Sequence, residues 1–94
     1  MVNRIVKLTF KPENIEAFQT LFYTVNAHIL QFEGCHGVKL LQDVKRPEIF
    51  FTYSLWENED ALNAYRKSAF FDDTWAKTKA LFGDKPEAWT VKEQ

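Results

Sequence analysis

Eight of the fifteen aromatic residues fall between Phe50 and Trp75: Phe50, Phe51, Tyr53, Trp56, Tyr65, Phe70, Phe71 and Trp75. Tyr53, Tyr65, Phe71 and Trp75 are the ones placed to line a pocket. Their rings can hold a planar ligand by stacking, and the polar tips of Tyr and Trp can hydrogen-bond it. Rings at helical spacing can equally be plain core, and the sequence leaves both readings open. Few polar groups accompany them. Asn3 carries a carboxamide that can donate to a substrate oxygen or a developing oxyanion. Alternatively it bonds nearby backbone at a strand end. His28 lies at helical spacing from Leu21, Val25 and Phe32. A neutral imidazole there can take a phenolic proton, or the residue can be half-exposed and structural. Arg66 can meet an acidic group on a substrate or lie in solvent.

Other chemistries are excluded. Cys35 and His36 are adjacent, and two neighbours without a second cluster cannot supply a metal's ligand set, so no metal site is expected. Cys35 reads as a small hydrophobe after a turn. There is no Gly-rich phosphate loop, no dinucleotide fingerprint and no Gly-x-Ser-x-Gly elbow, and only three glycines in all. A net charge of -1, from 12 basic against 13 acidic residues, gives no electrostatic case for nucleic acid or an anionic membrane. One cysteine permits no intrachain disulfide. The N-terminus lacks a long apolar stretch, so a cytoplasmic location is expected.

The elements that must position these residues follow from periodicity. "VNRIVKLTF" alternates, with Val2, Arg4, Val6, Leu8 and Phe10 on one face and Asn3, Ile5, Lys7 and Thr9 on the other. Pro12 then opens a helix, in which Ile15, Phe18, Phe22, Val25, Ile29 and Phe32 recur at three and four. Gly34 is expected in the left-handed conformation past its end. "VKLLQDV" reads as a second strand, "KRPE" as a turn and "IFFTYSLW" as a third strand bulky enough for both faces to be covered. Asn58 can cap a second helix carrying Ala61, Leu62 and Tyr65. That helix is expected to break near Ser68 and restart with Phe71, Trp75, Thr78 and Phe82. "AWTVK" is a short last strand.

This order predicts one domain over residues 1–94 in the α+β class: a ferredoxin-like βαββαβ unit with a four-stranded antiparallel sheet and helices on one face. If Val6, Leu8 and Phe10 face away from the helices, Asn3 faces toward them. The uncovered face then needs a second copy, so a homodimer is expected.

The chain resembles the antibiotic biosynthesis monooxygenase family of the dimeric α+β barrel superfamily. The resemblance is carried by "RIVKLTFKPENIEAF", "FEGCHGVKLLQD", "FFTYSLWENEDALNAYRKSAFF" and "WAKTKALF", with a Gly-Cys turn and a Trp-x-x-x-x-Ala-Leu junction. It implies a dimeric α+β barrel and oxidation of an aromatic, quinol-type or polyketide-like molecule by O₂, with no metal or flavin cofactor. The partners implied are a second copy and a hydrophobic aromatic small molecule. Some relatives degrade haem through an Asn, a Trp and an iron-binding His, at positions that map onto Asn3, Tyr65 and Trp75. Only the Asn is kept, and a Trp offers iron no ligand, so haem degradation is disfavoured. On this resemblance Asn3 would bond the substrate oxygen, Tyr65 and Trp75 would hold its ring, and His28 would be the base. Tyr53, Phe71 and Arg66 would complete the site. Some chains of this fold have no known catalysis, and a non-catalytic binding or stress-associated dimer is the alternative.

Overall fold

In the computed structural model, which describes residues 1–94, the alternating N-terminal run forms β1 (Val2–Thr9). A 3-10 turn at Pro12–Asn14 leads into α1 (Ile15–Leu30). Strands β2 (Cys35–Gln42) and β3 (Ile49–Trp56) follow as a hairpin. Then come α2 (Glu59–Arg66), α3 (Ala69–Lys79) and β4 (Glu87–Val91). The sheet order is β2-β3-β1-β4, and every pairing is antiparallel. This is the ferredoxin-like arrangement expected from the order of elements. No helix is long and apolar enough to cross a membrane.

Local chemistry marks the boundaries. Gly34 takes φ +82 after α1, in the region a side chain rarely enters. The Asn58 side chain accepts the Ala61 N–H at 2.9 Å and caps α2. Ser68 stands between two helices: its hydroxyl donates to the Tyr65 carbonyl at 2.6 Å and accepts the Phe71 N–H at 3.1 Å. One side chain thereby closes α2 and opens α3, which fixes Tyr65 relative to Phe71. Asp43 accepts the backbone N–H groups of Lys45 and Arg46 and holds the hairpin turn.

Three boundaries depart from expectation. Helix α1 ends at Leu30, two residues before Phe32, because the chain must already turn toward Gly34. Strand β2 begins at Cys35 rather than Val38, with a bulge between Cys35 and Gly37. The bulge lets the strand end pair with Trp56 immediately after the turn. Phe82 lies beyond α3 and forms a bridge with Phe10.

The larger correction concerns the faces of the sheet. Leu8 and Phe10 are buried against Phe18 and Phe22 of α1, together with Phe50. Phe10 stacks on Phe18 with centroids 4.1 Å apart, and Phe50 meets the Phe18 ring at 5.2 Å edge-on. Burying each such ring contributes about 1.5–3 kcal/mol. The face of Val6, Leu8 and Phe10 is therefore the helix face. Asn3, Ile5, Lys7 and Thr9 lie on the open face, the reverse of the expected assignment. The physical reason is solvation: the opposite phase would trap Lys7 and Asn3 under the helices and leave Phe10 in water. Strand β3 is central, but only its helix face is well covered. Its Phe51, Tyr53 and Leu55 stand half-buried on the open side.

Candidate functional site

Along the helix face of β3 the side chains run Phe50, Thr52, Ser54 and Trp56: large, small, small, large. Phe50 belongs to one apolar cluster, with Leu8, Phe10, Phe18 and Phe22. Trp56 belongs to a second, with Ile29 and Leu62. Across β1, Val6 stands opposite Thr52 and Arg4 opposite Ser54. Small side chains between two large clusters leave the helices unsupported at mid-sheet, and a cavity of about 260 Å³ lies there. Val6, Val38, Thr52 and Ser54 form its floor, Leu21, Phe22 and Val25 of α1 one wall, and Tyr65, Phe71 and Trp75 the roof. Arg4 and Arg66 also border it, and Arg66 is exposed, so that side opens to solvent.

The roof is ordered by its own rings. Tyr65 stacks on Trp56 at 5.0 Å and 25°, and meets Phe71 edge-on at 5.2 Å. Phe71 and Trp75 are parallel within 13° at 6.0 Å, and Phe82 props the far edge of Trp75 at 5.7 Å. On the floor, the Trp56 indole N–H donates to the Ser54 hydroxyl oxygen at 2.9 Å. Ser54 thus accepts from the protein and keeps its own proton for a group above it. Thr78 donates to the Thr74 carbonyl at 2.8 Å and spends its hydroxyl within α3.

Burial, with a smaller contribution from the nearby Cys35 thiol, pushes the Tyr65 phenol up to about 12. At neutral pH it is a hydrogen-bond donor and no base. Because its folded value lies above the ordinary value of 10, the folded state holds this proton longer than the unfolded chain. The stability that this confers is present below pH 10 and is lost as pH rises toward 12. We expect a loss of about 2 kcal/mol across that window. Replacing Tyr65 by Phe should flatten this part of the curve in urea unfolding, and the ultraviolet phenolate titration should lose its last component.

The cavity gathers Tyr65, Phe71, Trp75 and Arg66 among the residues singled out from sequence. It does not include Asn3, Tyr53 or His28. Asn3 and Tyr53 are on the open face, where the Tyr53 hydroxyl donates to the Asn3 side-chain oxygen at 2.8 Å. His28 is exposed at the end of α1 and lies flat on Phe70, with centroids 4.0 Å apart and planes within 4°. No three His, Cys, Asp or Glu side chains come together where they could hold a metal ion. Sequence reasoning missed Arg4, Thr52 and Ser54. Their signal was polarity in mid-face: Arg4 interrupts the apolar face of β1, and Thr52 and Ser54 together interrupt that of β3 between Phe50 and Trp56.

Among solved structures, an antibiotic biosynthesis monooxygenase superposes with a TM-score of 0.92 at 20% identity, covering 100% of this chain and 99% of that one. A conserved protein from Methanosarcina mazei Go1 gives a TM-score of 0.92 at 23% identity, covering 100% and 94%. Rv0793 from Mycobacterium tuberculosis gives 0.90 at 15% identity, covering 99% and 94%. At these identities the likeness speaks for the fold. No curated protein matches the chain. The family model for antibiotic biosynthesis monooxygenases matches residues 1–77, well over half of the sequence. With the sheet order, the helix-face cavity and that match agreeing, the chain belongs to the antibiotic biosynthesis monooxygenase family.

Proposed function

We propose that residues 1–94 act as a single-domain monooxygenase that oxidises an aromatic, quinol-type or polyketide-like molecule with O₂. The observation that carries this reading is an apolar cavity of about 260 Å³ roofed by Tyr65, Phe71 and Trp75, in a chain of this family. An apolar cavity of about 150 Å³ accommodates benzene, so this one has room for one or two fused rings. The substrate itself supplies the electrons. A quinol plus O₂ gives a hydroxyquinone plus water: one oxygen atom enters the ring, the other leaves as water, and no outside reductant is needed. The chain's part is to hold the ring between Trp75 and the floor, exclude water, and donate hydrogen bonds from Tyr65 and Ser54 to substrate oxygens. An oxygen electrode tests this. Anaerobically reduced naphthoquinol is mixed with protein and then with air; the expected result is uptake well above the uncatalysed rate, at one O₂ per quinol. Uptake equal to the uncatalysed rate would leave the proposed oxidation without support.

No histidine lines the cavity, and Tyr65 is held protonated there. These observations favour a second reading, in which the same pocket binds a hydrophobic molecule without turnover. Ring binding by calorimetry with no oxygen uptake would decide for it.

The partner in either case is a second copy, seated on the open face of the sheet. That face carries Ile5, Phe51 and Leu55, with Leu41, Trp89 and Val91 left 49%, 45% and 42% exposed. Of its polar groups, the Tyr53 hydroxyl is already paired with the Asn3 side-chain oxygen, and Lys7 and Lys39 stand beside Phe51 and Tyr53 on the same face. Ile5→Glu would put a carboxylate between the Tyr53 and Trp89 rings of this interface. It should weaken the dimer at least ~100-fold, the equivalent of about 3 kcal/mol, as read by sedimentation equilibrium.

A further inference from the structure

Arg4 is out of place on its strand. Its face-mates Val2, Val6 and Leu8 pack under the helices, yet Arg4 lies among them and borders the cavity. Arg66 reaches the same cavity from the last turn of α2. The fold thus brings two guanidinium groups to one apolar space. Neither has a carboxylate within ion-pair distance; the only salt bridge in the chain is Lys77–Asp73, on the exposed side of α3. One nitrogen of Arg4 donates to the Thr90 hydroxyl at 2.8 Å, which fixes its direction and leaves its other donors open. Burial and then repulsion from Arg66 lower the Arg4 pKa, so the two cations feel each other. The one acid that borders the cavity, Glu87, pairs with Lys7 in the sheet register. Strand alternation therefore turns its carboxylate to the open face.

Two guanidinium groups that border one apolar space, with no acid paired to either, offer a site for an anion. We infer that Arg4 and Arg66 clamp the carboxylate of an aromatic acid whose ring lies in the cavity beneath Tyr65 and Trp75. This deepens the proposed function and rests on its reading of the cavity as a substrate site: the substrate class becomes a hydroxylated one- or two-ring aromatic acid. The planar forks of two arginines suit a carboxylate better than a neutral oxygen, because each N–H···O⁻ bond is charge-assisted. The ring end needs no such partner. The ligand is therefore amphiphilic, with its charge at the solvent side near Arg66 and its rings inward.

Isothermal titration calorimetry with 2-naphthoate and its neutral isostere 2-naphthamide tests the inference on the intact protein. Naphthoate should bind about ten- to a hundred-fold more tightly, the range of a charge-assisted hydrogen bond or two. Arg4→Met and Arg66→Met should each remove most of that advantage, bringing the acid's affinity close to the amide's. If acid and amide bind alike, the clamp is wrong while the ring site stands. The clamp is equally wrong if the acid's advantage survives in Arg66→Met. If neither ligand binds, both the clamp and the reading of the cavity fall. Arg66 is exposed, so its variant should fold whether or not Arg4→Met does, and circular dichroism confirms it.

Discussion

Replacing Gly34 by alanine should destabilise the protein by about 3 kcal/mol, among the larger effects a single methyl group can have. Two penalties add. The backbone at Gly34 has φ +82, where a Cβ crowds the following carbonyl. A Cβ built there would also lie 2.5 Å from the Ala61 Cβ, well inside contact distance, with the Glu57 Cβ at 3.6 Å on another side. The Glu57 contact is an ordinary one, but the Ala61 Cβ is not the far end of a flexible side chain, so relief requires α2 to move. The Gly34 carbonyl accepts the Glu57 N–H at 2.8 Å, which ties the turn after α1 to the start of α2. Thermal unfolding should read the change as a drop of roughly 12–24 °C in Tm. Adding Ala61→Gly should recover the steric part and leave the backbone part. Gly37→Ala is the control: nothing lies within 4 Å of a Cβ there, and its Tm should stay near wild type. If Gly34→Ala also melts at the wild-type temperature, the close approach of this turn to α2 is wrong.

The second large effect is on the cavity. Val25 of α1 lines it and is half-buried. In Val25→Trp an indole would occupy space that a ligand ring needs. Losing burial of one ring removes about 1.5–3 kcal/mol of binding. Affinity for naphthol-sized molecules, and any oxygen uptake with naphthoquinol, should therefore fall roughly hundred-fold. Stability should change little, because Val25 borders both the Trp56 cluster and the cavity, and the larger side chain can extend into the latter. The pairing of results is the test. Lost ligand binding with an unchanged Tm supports a functional void beneath Tyr65 and Trp75. Unchanged binding would place the ligand elsewhere on the molecule.

Much of the frame was legible from local chemistry. Asn58 announced a helix start because a short polar side chain there can accept a free N–H, and it does so from Ala61. The break at Ser68 was legible for the same reason. Gly34 was legible as a helix stop because few other residues tolerate its backbone angle. The roof residues Tyr65, Phe71 and Trp75 could be picked out because helical spacing and ring chemistry both belong to a single segment.

Asn3 shows where that reasoning stops. Alternation proves that Asn3 and Arg4 lie on opposite faces of β1, but not which face meets the helices. Position along one strand is silent about pleat phase relative to a helix sixty residues away. The choice is made by the whole molecule, when Leu8, Phe10, Phe50 and Trp56 are placed together on the side that α1 and α2 can bury. That choice moved Arg4 into the cavity and Asn3 out of it, onto Tyr53. His28 left the site in a similar way, because the end of α1 packs beside Phe70 rather than above the floor. The sequence by itself determined the elements, their caps and their order, since these follow from periodicity and from side chains bonding their own backbone. Tertiary structure alone decided which polar residues share the cavity, since that depends on the sum of burial energies over both faces of the sheet.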